Sequence, residues 1–222
     1  MRFLFCFFVV LIMLFPKLTD AKKPIKLFNQ KDLSDWYAFE PENGKQTNAT
    51  ELFTVDQKMI RMFGKKAGYL MTNKSFTNFQ LLVEFRWNTD NSFVRKNDKK
   101  NSGVMYLVPQ ETPDTLWPKG IQFQIKEGST GDFILLQEVT LNVNGEVNTP
   151  GKSVVVNRFT DAEKPAGEWN SLQIISDKGK ISQKLNGVLI NEGTNPSVTE
   201  GRILLQYEGF PIDFRKVEIT KL

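Results

Sequence analysis

Histidine is absent from this chain of 222 residues, and cysteine occurs once, at Cys6. Without an imidazole there can be no Ser-His-Asp or Cys-His triad, no H-E-x-x-H zinc site and no other centre that depends on a histidine base or ligand. Acid and base chemistry falls to carboxylates, Lys, Tyr and the backbone. Long apolar runs are scarce as well. The one that stands out covers residues 3–15, with Arg2 before it and Leu18-Thr19-Asp20-Ala21 after it. It is well short of the roughly 20 residues that a membrane-spanning helix needs. A basic start, a short apolar stretch and a small residue at the end describe a secretory signal peptide. The sequence predicts a leader over residues 1–21, cleaved after Ala21, and a single mature domain over 22–222 exported to the bacterial periplasm or beyond. Because Cys6 lies in the leader, the mature chain has neither disulfide nor thiol chemistry. A domain of this size can still bury about 70% of its unfolded surface, enough for a core alone to hold it together.

Neither sign of charge dominates: 29 Lys plus Arg stand against 25 Asp plus Glu. This balance gives no electrostatic footprint for nucleic acid, and once the leader is removed no membrane span remains. The one concentrated basic stretch, Arg95-Lys96-Asn97-Asp98-Lys99-Lys100, is interrupted by Asn and Asp between strand-like segments. It reads as a solvated loop tip.

Helical spacing is nearly missing too. Short apolar or alternating runs are separated by Gly, Pro, Asn and Asp, which predicts an all-β fold. Strands are expected at 26–28, 53–56, 59–61, 69–72, 79–87, 102–107, 120–125, 133–138, 171–176, 180–185, 188–191, 201–207 and 213–222. So many short strands in one unit predict two packed antiparallel sheets. Hairpins are marked at Asp56-Gln57-Lys58 and, by the strong Asn-Gly signal, at Asn186-Gly187. In 79–87, Leu81, Val83, Phe85 and Trp87 share the face expected in the core, opposite Gln80, Leu82, Glu84 and Arg86. The span 142–167, with Pro150, Gly151, Pro165 and Gly167, reads as a long loop or excursion.

The chemically informative segment is 120–133, a strand running into a Gly-rich turn. Gln122, Gln124 and Lys126 point to one face, with Ile121, Phe123 and Ile125 on the other. A row of long polar groups is costly to bury unless each is paired or the face is solvated, so it marks a candidate concave ligand face. Sugars suit such a surface: amides and charges meet hydroxyls, and aromatic rings meet the apolar faces of the pyranose. Gln122, Gln124, Arg86, Asn101, Glu127, Asp132 and Glu208 could supply the first. Trp87, Trp117, Tyr106 and Tyr207 could supply the second, each of them also a candidate for plain core packing.

Several segments together carry a resemblance. They are Leu27-Phe28-Asn29-Gln30-Lys31-Asp32-Leu33-Ser34-Asp35-Trp36, the strand 79–87, Asn101-Ser102-Gly103-Val104, the strand and turn 120–133, Gly167-Glu168-Trp169-Asn170, Asn186-Gly187-Val188 and the tail 201–222. As an ordered set they resemble the bacterial 3-keto-disaccharide hydrolase domain family, over nearly the whole mature chain. The resemblance implies a concanavalin A-like jelly-roll sandwich acting on glycosides or disaccharides whose glucosyl unit is oxidised at carbon 3, with no cofactor. The family usually carries a Glu two residues before the Gln of this strand, where this chain has Gln122. A Gln cannot exchange a proton as a carboxylate does. No metal site is carried over, because relatives that could bind one do so with histidines. Laminarinase-type glucanases, which share the fold, use E-x-D-x-x-E; the aligned residues here are Gln122, Gln124 and Glu127. Retaining hydrolysis needs two carboxyl groups about 5–5.5 Å apart, which this strand does not provide.

Chemistry on a 3-keto sugar asks for less. The ketone acidifies the hydrogen on carbon 2, and the group on carbon 1 leaves by elimination before water adds back. One base and one stabiliser of the enolate suffice. The residues point to Glu208 or Glu127 as base and to Arg86 or Lys126 at the enolate oxygen. Gln122, Gln124, Asn101, Asp132, Trp117, Tyr106 and Tyr207 would hold the sugar. The alternative is a carbohydrate-binding jelly roll without catalysis, its family carboxylate replaced by Gln122.

Overall fold

The computed structural model describes residues 22–51, 53–62, 66–89 and 100–222. The expected leader and most of the basic stretch, Arg95 to Lys99, lie outside the described residues. In chain order the strands are β1 (Ile25–Lys26), β2 (Trp36–Glu40), β3 (Gly44–Gln46), β4 (Thr54–Asp56), β5 (Met59–Met62) and β6 (Gly68–Thr72). They continue with β7 (Phe79–Trp87), β8 (Asn101–Val108), β9 (Gly120–Lys126), β10 (Phe133–Leu136), β11 (Asn142–Val143) and β12 (Glu146–Val147). The last are β13 (Ser153–Val156), β14 (Asn170–Asp177), β15 (Lys180–Leu185), β16 (Val188–Thr194), β17 (Arg202–Tyr207) and β18 (Ile212–Lys221). Among the described residues the sole helical element is a 3₁₀ turn at Ala49–Glu51, and no helix is long and apolar enough to cross a membrane.

The strands form two antiparallel sheets, as the all-β reading expects. A ten-stranded sheet runs β12-β11-β16-β15-β14-β7-β18-β5-β4, with β1 added to β18. An eight-stranded sheet runs β13-β10-β9-β8-β17-β6-β2-β3. The side chains between them make the main core. Phe79, Leu81, Val83 and Phe85 of β7 face inward from one sheet, and Val104 and Tyr106 of β8 with Ile121, Phe123 and Ile125 of β9 from the other. The two marked hairpins form as the sequence predicts. Gln57 and Lys58 both adopt positive φ (49° and 62°), as do Asn186 and Gly187 (52° and 85°), which gives two-residue turns whose twist matches the strands they join.

Five strands are not among those expected. β2 was hidden because four of its five residues are buried, on both faces: Trp36 and Ala38 enter the main core, while Tyr37 and Phe39 join a second apolar cluster. No polar alternation remains to mark such a strand. β3 is a short, polar edge strand that pairs with β2. The other three lie in the expected excursion: β11 and β12 form a small hairpin on one sheet, and β13 extends the other.

Candidate functional site

The second apolar cluster is what distinguishes the eight-stranded sheet. Its outer face is not a solvated surface. Tyr37, Phe39, Tyr69, Met71, Met105 and Leu204 are buried there, with Trp117 packed against them. Strand register sets the rows across this face. Leu204 of β17 stands opposite Met105 of β8, which stands opposite Gln122 of β9. In the next row Gln206 pairs with Gly103 and Gly103 with Gln124, and in the last Asn101 pairs with Lys126. Carboxamides therefore gather at the β9–β8–β17 side and apolar groups at the β6–β2 side.

Alternation puts Gln122 and Gln124 side by side, and the Nε2 of Gln122 donates to the Oε1 of Gln124 at 2.5 Å. Both are buried, and so is Gln206. Gly103 makes this arrangement possible. A Cβ there would stand 2.5 Å from Nε2 and 2.6 Å from Cδ of Gln122, so the missing side chain on β8 is the space the carboxamide fills.

Glu208 follows β17 and stays on the same side as Gln206, whose Nε2 donates to its Oε1 at 2.5 Å. Glu208, Lys126 and Asn101 are half-exposed; they form the rim of a floor made by the buried glutamines. Two acceptors in this group, Asn101 Oδ1 and Gln206 Oε1, are buried with no hydrogen-bond partner among the described residues. A buried carbonyl oxygen left in that state costs about 1–3 kcal/mol, so two of them on adjacent strands, Gln206 opposite Gly103 and Asn101 two residues along β8, suit a ligand bearing hydroxyl donors. Lys126 is held by its turn: its N–H donates to Thr130 Oγ1 at 3.1 Å, and that hydroxyl donates back to the Lys126 carbonyl at 3.0 Å.

Other residues singled out in the sequence lie elsewhere. Arg86 is on β7, on the outer face of the ten-stranded sheet, where its Nε donates to Asp213 at 2.9 Å and its guanidinium lies 4.7 Å from the Trp169 ring. It does not reach the glutamine face. Glu127 is exposed in the turn, with its N–H on the Lys100 carbonyl at 3.0 Å. Asp132 accepts from the Arg158 backbone N–H at 2.9 Å and pairs with its guanidinium at 3.6 Å, tying the segment after β13 to the β9–β10 turn.

Of the aromatics, Tyr106 is wholly buried between the sheets, its hydroxyl accepting from Gln183 Nε2 at 3.0 Å. Burial pushes that phenol well above its ordinary pKa. Tyr207 also faces the main core, edge-on to Phe53 with ring centroids 6.2 Å apart. Trp87 faces the core. Trp117 alone of the four borders open space, half-buried in a groove of about 510 Å³ with Thr115, Leu116, Gln137 and Lys152.

A cluster the sequence did not disclose occupies the β6–β2 side. The hydroxyls of Tyr37 and Tyr69 both donate to Asp114 Oδ1 at 2.7 Å. Arg202 Nη1 donates to the Tyr37 hydroxyl at 2.8 Å, and the Lys45 ammonium lies 3.9 Å from the centre of the Tyr37 ring. Burial, and then the bond to Asp114, raise both phenols far above their ordinary range, so they remain protonated donors. Alternation in Arg202-Ile203-Leu204-Leu205-Gln206 was the available signal, since it places Arg202 on the face of Gln206.

Residues 23–220 match the family of the 3-keto-alpha-glucoside-1,2-lyase-like domain. The chain belongs to that family. The sandwich of this chain is shared by solved structures at low identity. A protein of Parabacteroides distasonis classed as a glycosyl hydrolase superposes with a TM-score of 0.62 at 22% identity, covering 88% of this chain and 92% of that one. A Bacillus licheniformis beta-glucanase gives 0.53 at 14% identity, with 92% and 100% covered. A carbohydrate-binding module of Bacillus subtilis gives 0.52 at 12% identity, with 83% and 94% covered. At these identities the likeness shows the jelly-roll fold. No curated protein matches the chain. Family membership places the protein in carbohydrate chemistry.

Proposed function

We propose that this protein binds a 3-keto glycoside against the outer face of the eight-stranded sheet and cleaves it by elimination followed by hydration. The observation that carries the reading is Glu208, a carboxylate held by Gln206 at the edge of a carboxamide floor beside two buried acceptors that lack partners among the described residues. Amides of that kind suit sugar hydroxyls, and the carboxylate supplies the one base that the chemistry requires.

In this scheme Glu208 takes the proton from carbon 2 of the keto sugar. The electrons of that C–H bond form the enolate, whose oxygen is met by Lys126 or a carboxamide N–H. As the enolate collapses, the bond from carbon 1 to its oxygen breaks, and the leaving group recovers a proton from protonated Glu208 or from water. Water then adds across the new double bond. Arg86, on the other sheet, has no part in it. Export by cleavage of residues 1–21 would place the reaction outside the cytoplasm.

A second reading, sugar binding without turnover, is favoured by the paired amides of Gln122 and Gln124, which stand where glucanase-like strands carry carboxylates. Incubation with a 3-keto glucoside and with its unoxidised parent separates the two. Release of the leaving group from the keto sugar alone supports the enzyme, and retention of sugar binding with no release from either supports the binding domain.

A further inference from the structure

The outer face of the eight-stranded sheet is closed at one side by residues 109–119, the connection between β8 and β9. Four separate anchors hold this segment down. Asp114 accepts both tyrosine hydroxyls at 2.7 Å. Arg202 Nη2 donates to the carbonyls of Pro109 and Thr112 at 3.1 and 3.3 Å. Gln137 Nε2 donates to the Trp117 carbonyl at 3.2 Å, and the Trp117 ring packs on the second apolar cluster. Beneath it Tyr69, Met71 and Leu204 have no exposed surface. The half-exposed groups Lys126, Asn101 and Glu208 lie on the opposite side, at the ends of β9, β8 and β17.

We propose that segment 109–119 is the wall that ends the saccharide site, so that the protein seats the terminal unit of a short saccharide and excludes the interior of a longer glycan, with Asp114 as its positioning residue. This rests on the sugar-binding reading above. A chain that ran across all the strands would have to pass where Asp114 bridges Tyr37 and Tyr69. Two charge-assisted bonds to phenols that stay protonated make Asp114 a strong pin, and because Tyr69 stands opposite Gln206 in the strand register, the pinned segment borders the carboxamide floor.

The test compares binding of a glucosyl disaccharide and of the hexasaccharide of the same linkage. The wild-type protein is expected to bind the two within about threefold of each other. Asp114→Ala is expected to leave disaccharide binding within about threefold and to tighten the hexasaccharide tenfold or more. Asp114→Asn, which keeps an acceptor oxygen, should restore the wild-type ratio. Should Asp114→Ala fail to fold, the Tyr37→Phe, Tyr69→Phe double variant keeps both rings packed and removes the two donors, and the same shift is expected. A wild-type preference of tenfold or more for the hexasaccharide overturns the wall, as does an unchanged ratio in a folded variant; both leave sugar binding standing. Failure of the wild-type protein to bind either sugar, keto or unoxidised, overturns both readings together.

Discussion

Gly103 and Gln122 are complementary across β8 and β9: the space that a Cβ at residue 103 would take is filled by the Gln122 carboxamide, 2.5 Å from where that atom would stand. The glutamine is thereby turned toward Gln124, and the floor of the site depends on a missing methyl group two residues along the neighbouring strand.

Gly103→Ala should therefore displace the Gln122 side chain and break its 2.5 Å bond to Gln124. Overpacking of this kind costs about 1–3 kcal/mol. The expected outcome is a lowered midpoint in chemical denaturation together with weakened sugar binding, and an unchanged affinity in a folded variant would show that the glutamine floor does not touch the ligand.

Asp213 serves stability, on the other sheet. It has no exposed surface and accepts from Arg61 Nε at 3.3 Å, Arg86 Nε at 2.9 Å and Asn88 Nδ2 at 3.1 Å. Removing one partner of a buried pair leaves uncompensated charge. Because both arginines are partly open to solvent, Asp213→Ala should cost about 3 kcal/mol, the low end of that range. Arg86→Gln should destabilise less and leave turnover of a 3-keto glucoside within about twofold. A large loss of turnover in a folded Arg86→Gln protein would return that residue to the site.

Glu163 gives the fold a pH dependence. Burial pushes its carboxyl above the ordinary carboxylate range, against hydrogen bonding that pulls it down, including the bond that the Trp87 indole N–H donates to Oε1 at 3.2 Å. A raised pKa in the folded state means that folding takes up a proton, so this group's contribution is full below the unfolded-state value near 4.5 and is lost as pH rises through the folded value. Glu163→Gln should match the wild-type melting temperature in acid and exceed it at neutral pH. Parallel pH profiles for the two proteins would contradict this.

Much of the fold was legible because a sandwich with one buried face writes its pattern with period two. The strand Phe79–Trp87 alternates between core and outer face as its letters alternate, and Asn186-Gly187 sits in the hairpin that it signals. The same rule fails where both faces are buried. In Trp36-Tyr37-Ala38-Phe39 the polar half of the pattern is missing, and so β2 and the phenol pair it shares with β6 went unread.

The site was legible in part for the same reason. Gln122, Gln124 and Lys126 announce a polar face, and Asn101 and Glu208 do stand beside it, because they lie at the ends of the adjacent strands. The sequence reading puts Tyr106 and Tyr207 on the ligand face although strands β8 and β17 are buried on both faces, and alternation from Gln206 sets Tyr207 on the opposite side, in the core. Asp114 carries no local signal at all. Its partners Tyr37 and Tyr69 are 77 and 45 residues away in sequence, and only the closed sheet brings them together.

The central claim is that Glu208 removes the proton from carbon 2, and comparison of Glu208→Gln with the wild-type protein on a 3-keto glucoside tests it most directly. The account predicts a fall in kcat/KM of about 10²–10⁴-fold, the usual worth of a general base, with sugar affinity retained within a few-fold. Full activity in a folded Glu208→Gln protein would contradict it.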